Sequence, residues 1–551
     1  MMRSKERVGS DVVEGVSLDG TAVDVVVIGA GIAGMYAVHR FRSDELTVQG
    51  IEAASDVGGT WFHNRYPGAR CDVESVDYSY SFSDELQQEW DWSERYATQP
   101  EILEYLNHVA DRFDLRRSFD FDTRVTAAHL DEQTGLWTVT TDRGSITCRY
   151  CVFATGALSV ANYPDIPGRE EFAGRVLHTA QWPHEGVDFT GLRVGVIGTG
   201  SSGMQLVPEV ARQATSVTVF QRTPNYSIPA ANRPLSDEER REQKATYDER
   251  RRKSRLSGGG SPFVPHEKNT LEVDEVERER VYEHYWNLGG VLFSKAFPDQ
   301  MRNEDANNLA KAFAERKIRS VIDDPAIADD LIPDDHPIGT KRIVTDSGYF
   351  QTYNSDHVTL VNLRRAPFEK ITAEGVEIAG PDGPELHELD VLVFATGFDA
   401  VTGALGAIDI RGRGGRVLSE TWADGVRSYL GLMVANFPNM FLVNGPGSPG
   451  VLANMVLTSE HHVDWIADTI AHLDTEGLQA IEPEEKAQEN WMAECARLAD
   501  QTLFTKANSW YVGANIPSKP RVFMMYPGGF GNYRAATKEI TDAGYEGFAL
   551  R

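Results

Sequence analysis

Two glycine triads carry the most legible chemistry in this 551-residue chain: Gly29, Gly31 and Gly34 in GAGIAG, and Gly198, Gly200 and Gly203 in GTGSSG. In such G-x-G-x-x-G loops the first glycine permits a tight turn, the second lets the backbone approach a pyrophosphate, and the third lets helix and strand pack closely. The N-terminus of the next helix then faces the phosphates. After the first triad the following strand closes on Glu52 in TVQGIEAAS, placed to accept hydrogen bonds from a ribose. After the second, the corresponding place holds Arg222 in VTVFQRTPNY. An arginine there can pair with a 2′-phosphate that a carboxylate would repel, which argues for NADPH over NADH. Ser201 and Ser202, inside the second triad, belong to the same cradle. Cys148 and Cys151 form a C-x-x-C, but it lies in SITCRYCVFATG, which reads as a strand. Side chains three apart on a strand point to opposite faces, whereas redox pairs usually open a helix. Two half-buried structural cysteines are expected.

The elements that must position these loops follow from the surrounding pattern. AVDVVVIGAGIAGMYAVHRFR runs from consecutive β-branched residues through glycines into apolar residues at helical spacing, and GLRVGVIGTGSSGMQLVPEVAR repeats the design. Strands of valine and isoleucine without alternation indicate a parallel sheet buried on both faces. The fold class is α/β, with two Rossmann-like dinucleotide-binding domains. From about Pro234 to Asp335, after both loops, the composition turns charged and helix-favouring, as in LSDEERREQKATYDERRRKSR, interrupted by SGGGSP at Ser257 to Pro262. The expected division assigns residues 1–157 and 391–551 to the first nucleotide domain, 158–230 and 336–390 to the second, and 231–335 to a helical insertion in the second.

Composition narrows the function further. A formal net charge of -28 repels phosphate backbones and anionic lipid, so neither nucleic acid nor a membrane surface is an expected partner. An anionic ligand must be held by a local basic cluster. The start of the chain, MMRSKERVGSDVVEGVSLDG, is polar, and no apolar run has the length of a spanning helix. A cytoplasmic protein is expected, monomeric, with no disulfide framework and no metal.

Two ATG segments, Ala154 to Gly156 and Ala395 to Gly397, each follow an apolar strand. Paired nucleotide units with such strand ends resemble flavoproteins whose nicotinamide partner has its own domain, which makes the first nucleotide FAD. Phe172, Gly174, His178, Trp182 and Pro183 in FAGRVLHTAQWPH complete the pattern F-x-G-x-x-x-H-x-x-x-W-P. By that pattern the chain resembles the type I Baeyer-Villiger monooxygenases; related N-hydroxylating and flavin-containing monooxygenases end the motif differently. GGTWFHNRYPGARCD, GTKRIVTDSGYF, GPGSPGVLANM and SWYVGANIPSKPR also look like family segments in family order, so the resemblance covers essentially the whole chain. YPGARCDVES, GGVLFSKAFPDQ and KRIVTDSGY are most similar to the steroid and phenylacetone monooxygenase subgroup. The chain departs from the family at Phe62-His63, where Tyr-Trp is usual, at Ser355, where Arg is common, and at Ser518, where Gly is common.

The resemblance implies that NADPH reduces FAD and that O2 then gives a C4a-peroxyflavin. That peroxide attacks a ketone, and the adduct rearranges to an ester or lactone. Both the peroxide and the adduct carry negative charge, and a guanidinium is the cation that keeps its proton. Arg342 matches the family's catalytic arginine and Asp72 the carboxylate that holds it. Lys341 is expected to join Arg222 on the 2′-phosphate, and Trp510 to lie near the nicotinamide ribose. Thr60, Trp61, Tyr78, Val125 and Met455 match flavin-contacting positions, and Arg70 is counted with the cofactor residues. Ser448, Val451 and Leu452 are expected to line a pocket for an apolar ketone, whether steroid, aryl, cyclic or linear. His178 is expected to hold a hydrogen bond that links the domains. Two other readings remain: an N- or S-oxygenating flavin monooxygenase, and a regulator that binds NADPH without turnover. Trp182-Pro183 weighs against the first, and the Arg342 and Asp72 motifs against the second.

Overall fold

The computed structural model describes residues 18–551; of the N-terminal stretch quoted above, residues 1–17 lie outside the described residues. The strand Thr21–Ile28 pairs in parallel with Val48–Ile51 on one side and Gly144–Phe153 on the other. Its last four residues, Val25 to Ile28, are buried, as a strand covered on both faces must be. Beyond Gly144–Phe153 the first sheet continues as an antiparallel meander through Leu136–Thr141 and Val125–Asp131, and ends on Asp409–Arg411. The purely parallel sheet expected from sequence is therefore the centre of a mixed one. The turns between those three strands are too short for the crossover that parallel pairing needs.

The second sheet is parallel throughout, in the order Val358–Asn362, Ser216–Gln221, Arg193–Ile197, Val391–Phe394, Arg175–His178. The expected boundary at 390/391 is corrected by this order, because Val391–Phe394 belongs to the second unit and the chain leaves it only afterwards. VLVF is apolar on both faces and suits either sheet; its register against Val194 and Arg175 decides the matter.

The insertion consists mainly of the helices Asp237–Leu256, Glu275–Leu288, Glu304–Arg319 and Pro325–Leu331. Each opens on a side chain that accepts from its first turn: Ser236, Asp274, Asn303 and Asp324. The first helix is fastened to the first nucleotide unit by polar contacts. Arg250 pairs with Asp77 and Glu74, while buried Arg251 donates to Gln87 Oε1, the Asp77 carbonyl and Ser79 Oγ. The later helices instead share a core with the second unit, with Tyr282, Trp286, Phe313 and Ile318 packed in one cluster with Val194, Val207 and Ile228. The insertion thus reaches across both units.

All four cysteines are free and buried. Cys148 and Cys151 are not half-buried on opposite faces as expected; both are fully buried in one apolar cluster with Ile146 and Phe153. The strict alternation slips near Arg149, whose side chain reaches out to Asp474 and the Leu478 carbonyl, while Tyr150 joins the opposite cluster. Burial pushes the Cys151 thiol well above its ordinary pKa, which keeps it protonated and unreactive.

Candidate active site between the nucleotide units

The two glycine loops are built alike. Gly29 and Gly198 have positive φ, 108° and 109°, and a Cβ on either would stand 2.6 Å and 2.5 Å from the carbonyls of Ala154 and Ala395. Each ATG segment is therefore the wall against which its glycine loop turns. At Gly200 nothing lies within 4 Å of a Cβ position, and at Gly31 only the Gly59 backbone does, 3.5 Å away. These bare stretches of backbone open the helices Ile32–Ser43 and Ser201–Ala211. Both are cradles a dinucleotide pyrophosphate fits.

Glu52 is buried, and burial raises its pKa against the pull of backbone N–H groups. Its Oε2 accepts from Ala30 at 2.6 Å and its Oε1 from Ala54 at 2.7 Å, so the carboxylate braces the first glycine loop while keeping lone pairs for a ribose. In the second unit Arg222 is exposed at the end of Ser216–Gln221. Burial lowers the pKa of Lys341; the Asp335 carboxylate pulls it back up, and the charges of Arg222 and Arg364 push it down again. Neither Arg222 nor Lys341 is ion-paired among the described residues. Arg364, which sequence reasoning missed, donates to the Arg222 carbonyl at 3.1 Å and is neutralised by Asp334 and Asp335.

Between the cradles, Arg342 and Asp72 form a bidentate pair, Nε to Oδ2 and Nη2 to Oδ1, both at 2.6 Å. Their side chains are 29% and 22% exposed, half-buried but reachable. Burial works against the charged guanidinium, yet Asp72 outweighs it and raises the Arg342 pKa. Arg342 Nη1 donates to the Val451 carbonyl at 2.8 Å, tying the pair to the turn Gly450–Leu452.

The two partners are held by different elements. Asp72 ends the loop in which Tyr66 donates to Gln205 Oε1 at 2.8 Å, and in which a Cβ on Gly68 would come 2.3 Å from the Gln205 carbonyl. That loop rests on the second unit's helix Ser201–Ala211. Arg342 precedes the strand Val344–Asp346, which forms a two-stranded parallel ribbon with Ser227–Pro229. Asn225 Nδ2 fixes its carbonyl at 3.0 Å.

The remaining expected residues divide. Trp61 Nε1 donates to Tyr78 at 3.1 Å, and Thr60 is exposed beside it. Val125 is buried, Met455 opens a helix capped by Asn454, and half-buried Trp510 packs 4.4 Å from the ring of Tyr511. Tyr511, also missed, is buried with a raised pKa that the nearby Arg342 pulls back down. Two expected groups are committed elsewhere. The Ser448 hydroxyl donates to the Gly445 carbonyl at 2.7 Å, and the Arg70 guanidinium is held by Glu94 and the Tyr96 carbonyl. At the departure Phe62-His63, the Phe62 ring meets His63 and His184 edge-on, with Arg65 over its face.

In the linking motif, His178 is buried, and burial holds its pKa near 4. Its Nδ1 accepts from Ala180 N–H at 3.0 Å, which assigns the proton to Nε2. Nε2 lies 3.4 Å from the Asn162 carbonyl and 3.3 Å from Thr396 Oγ1. Asn162 is on the chain leaving the first unit and Thr396 on the chain returning to it. Trp182 and Phe172 are buried on the two faces of the second sheet's core, and a Cβ on Gly174 would collide with the Asp390 carbonyl at 2.4 Å. Pro183 follows Trp182 at the surface of that turn.

Two dinucleotide cradles, and a guanidinium–carboxylate pair that joins the units carrying them, fit a two-nucleotide oxidoreductase. Comparison with known proteins makes the class specific. The family description "Pyridine nucleotide-disulphide oxidoreductase" matches residues 26–245. A Baeyer-Villiger monooxygenase of Pseudooceanicola batsensis is 45% identical over 530 residues, covering 96% of each chain. A phenazine N-monooxygenase of Lysobacter antibioticus is 42% identical, covering 97% of this chain and 98% of the relative. Among solved structures, an oxidized steroid monooxygenase bound to NADP is 60% identical with a TM-score of 0.92, covering 96% of this chain and 99% of the other. The chain belongs to the Baeyer-Villiger monooxygenases. It is an FAD- and NADPH-dependent oxidoreductase that uses O2. Among the described residues no helix is long and apolar enough to cross a membrane.

Proposed function

We propose that the protein inserts oxygen beside the carbonyl of an apolar ketone, with Arg342 as the charge-stabilising catalytic residue and Asp72 as the residue that positions it. The bidentate pair carries this reading. FAD, reduced by NADPH, supplies the activated oxygen; the charge that develops at the reacting centre must be met by the protein. A guanidinium has five N–H donors. Two are committed to Asp72 and one to the Val451 carbonyl, leaving two for other acceptors. With its pKa raised, Arg342 stabilises negative charge without surrendering a proton.

Gly29, Gly31, Gly34 and Glu52 hold FAD in this proposal, with Thr60, Trp61, Tyr78, Val125 and Met455 against it. Gly198, Gly200, Ser201, Ser202 and Gly203 hold the NADPH pyrophosphate, Arg222 and Lys341 its 2′-phosphate, and Trp510 lies by its ribose. Val451 and Leu452 line the ketone pocket; the name of the structure at 60% identity favours a bulky substrate such as a steroid. Ketones of steroid, aryl, cyclic and linear types, assayed by NADPH consumption with product identification, test the reading. An ester or lactone from at least one supports it, and NADPH consumption that yields only peroxide removes it.

Oxygenation at nitrogen is the second reading, favoured by the 42% identical phenazine N-monooxygenase. Assays with phenazine and a thioether beside the ketones separate the two. The four free cysteines favour a reducing compartment, and we place the protein in the cytoplasm as a monomer. Cell fractionation and light scattering check these assignments.

A further inference from the structure

Lys295 ends the short helical segment Gly290–Lys295 of the insertion. That segment is packed on the loop that carries Arg342: a Cβ on Gly339 would come 3.0 Å from Ser294 Cβ and 2.7 Å from Met301 Sδ. The Lys295 ammonium stands beside Gly259, 2.6 Å from where a Cβ would lie. Gly259 is itself fixed to the far side of the cleft. Its carbonyl accepts the Asn454 N–H at 3.0 Å, and Asn454 caps the helix beginning at Met455, just after Val451 and Leu452. Lys295 is thus held between the Arg342 loop and the segment expected to line the ketone pocket.

The charge balance there is unusual. The side chain of Lys295 is open to solvent, yet enough protein surrounds its ammonium, with Arg342 adding its own charge, to lower its pKa. No carboxylate pairs with it among the described residues, although the chain carries 82 acidic side chains against 54 basic ones. Asp72 neutralises Arg342 and leaves Lys295 uncompensated. A cation crowded by protein and paired with no carboxylate is costly until an acceptor reaches it. The second unit supplies Arg222 and Lys341 at the expected 2′-phosphate site, and the helix N-terminus at Ser201 at the pyrophosphate site. The ligand left for Lys295 is the substrate. The strongly negative protein as a whole repels anions, so an anionic substrate requires such a local cation.

We propose that Lys295 is a specificity-determining residue whose ammonium receives a carboxylate carried by the ketone substrate, remote from the reacting carbonyl. The pocket would then take keto acids alongside neutral ketones. This rests on the ketone reading above.

The test uses the full FAD-loaded chain and two probes that differ by one para-carboxylate: 4-phenylbutan-2-one and 4-(3-oxobutyl)benzoate. The quantity read is the ratio of kcat/KM for the acid to kcat/KM for the neutral ketone, from ester formation. In Lys295→Met the ratio is expected to fall about tenfold, chiefly through the KM for the acid, and in Lys295→Arg to return most of the way. An unchanged ratio in Lys295→Met overturns the assignment. So does a raised KM for NADPH with both ketones slowed alike, which would give the cation to the cofactor. Oxygenation of neither probe, with sulfoxide still formed from a thioether, overturns the ketone reading and this assignment with it. A wild-type enzyme that converts the neutral ketone but not the acid overturns this assignment alone.

Discussion

Asp72 and Arg342 hold each other at two points, 2.6 Å each, although they stand 270 positions apart and are delivered by different halves of the molecule. The pair joins the loop that ends at Asp72 to the loop before Val344–Asp346, so it ties the guanidinium to the arrangement of the two units. Arg342→Ala is expected to leave flavin reduction by NADPH intact and to lower ester formation by at least about 10²-fold. Arg342→Lys is expected not to rescue it, because an ammonium cannot match both carboxylate oxygens. Stopped-flow absorbance of the flavin and product analysis check the two halves separately; ester formation at the normal rate by the alanine variant would remove Arg342 from its role.

The charge of Arg222 lowers the Lys341 pKa while the Asp335 carboxylate raises it, and neither cation is ion-paired among the described residues, so both keep donors for an anion. Arg222→Ala is expected to raise the KM for NADPH about tenfold while changing that for NADH less than about twofold. Steady-state kinetics with both nucleotides decide it, and equal effects would sink the 2′-phosphate assignment.

The third glycine of each loop has no room for a side chain. A Cβ at Gly203 would lie 2.1 Å from the Gly198 carbonyl, and one at Gly34 only 1.7 Å from the Gly29 carbonyl. Gly203→Ala is expected to abolish NADPH binding in a protein that remains yellow, and Gly34→Ala to give a chain that does not retain FAD. Absorbance of the purified variants and NADPH titration distinguish these outcomes.

Acid is expected to weaken the fold through its buried neutral histidines. His178 has a folded pKa of about 4 against an ordinary 6.5, so between those values the unfolded chain binds the extra proton. Its contribution is complete above pH 6.5 and is lost as the pH falls through 6.5 toward 4, amounting to about 3 kcal/mol at most. His336, near 4, and His461, near 3, act in the same direction. Thermal melts of wild type and His178→Asn across that range are expected to show a shallower acid dependence in the variant. Identical slopes would mean that His178 is not held neutral.

What the sequence revealed and what it hid have physical causes. The glycine loops were legible because a tight turn and a close helix–strand approach forbid other residues, so the constraint is written in composition. Val391–Phe394 was assigned to the wrong sheet because apolarity on both faces says that a strand is central without saying which sheet it is central to. Cys148 and Cys151 were misplaced because a strand that departs from alternation at one residue leaves no compositional mark. Lys295, Arg364 and Tyr511 were invisible for a different reason. A charged residue in a charge-rich insertion looks like solvated surface, and only the folding of that insertion sets the Lys295 ammonium beside Gly259.

The insertion's first helix is fastened to the first unit and its later helices to the second, and the passage between them is brief. Gly259 is still hydrogen-bonded to Asn454, whereas His266 N–H already donates to the Ala296 carbonyl. Pro262 and Pro265 stiffen the residues in between. A second passage between the units is gathered where His178 meets Asn162 and Thr396, and a third follows Ser227–Pro229, where Leu235 N–H already donates to the Ser93 carbonyl of the first unit. A rigid turn of one unit against the other must therefore bend the chain at all three crossings together.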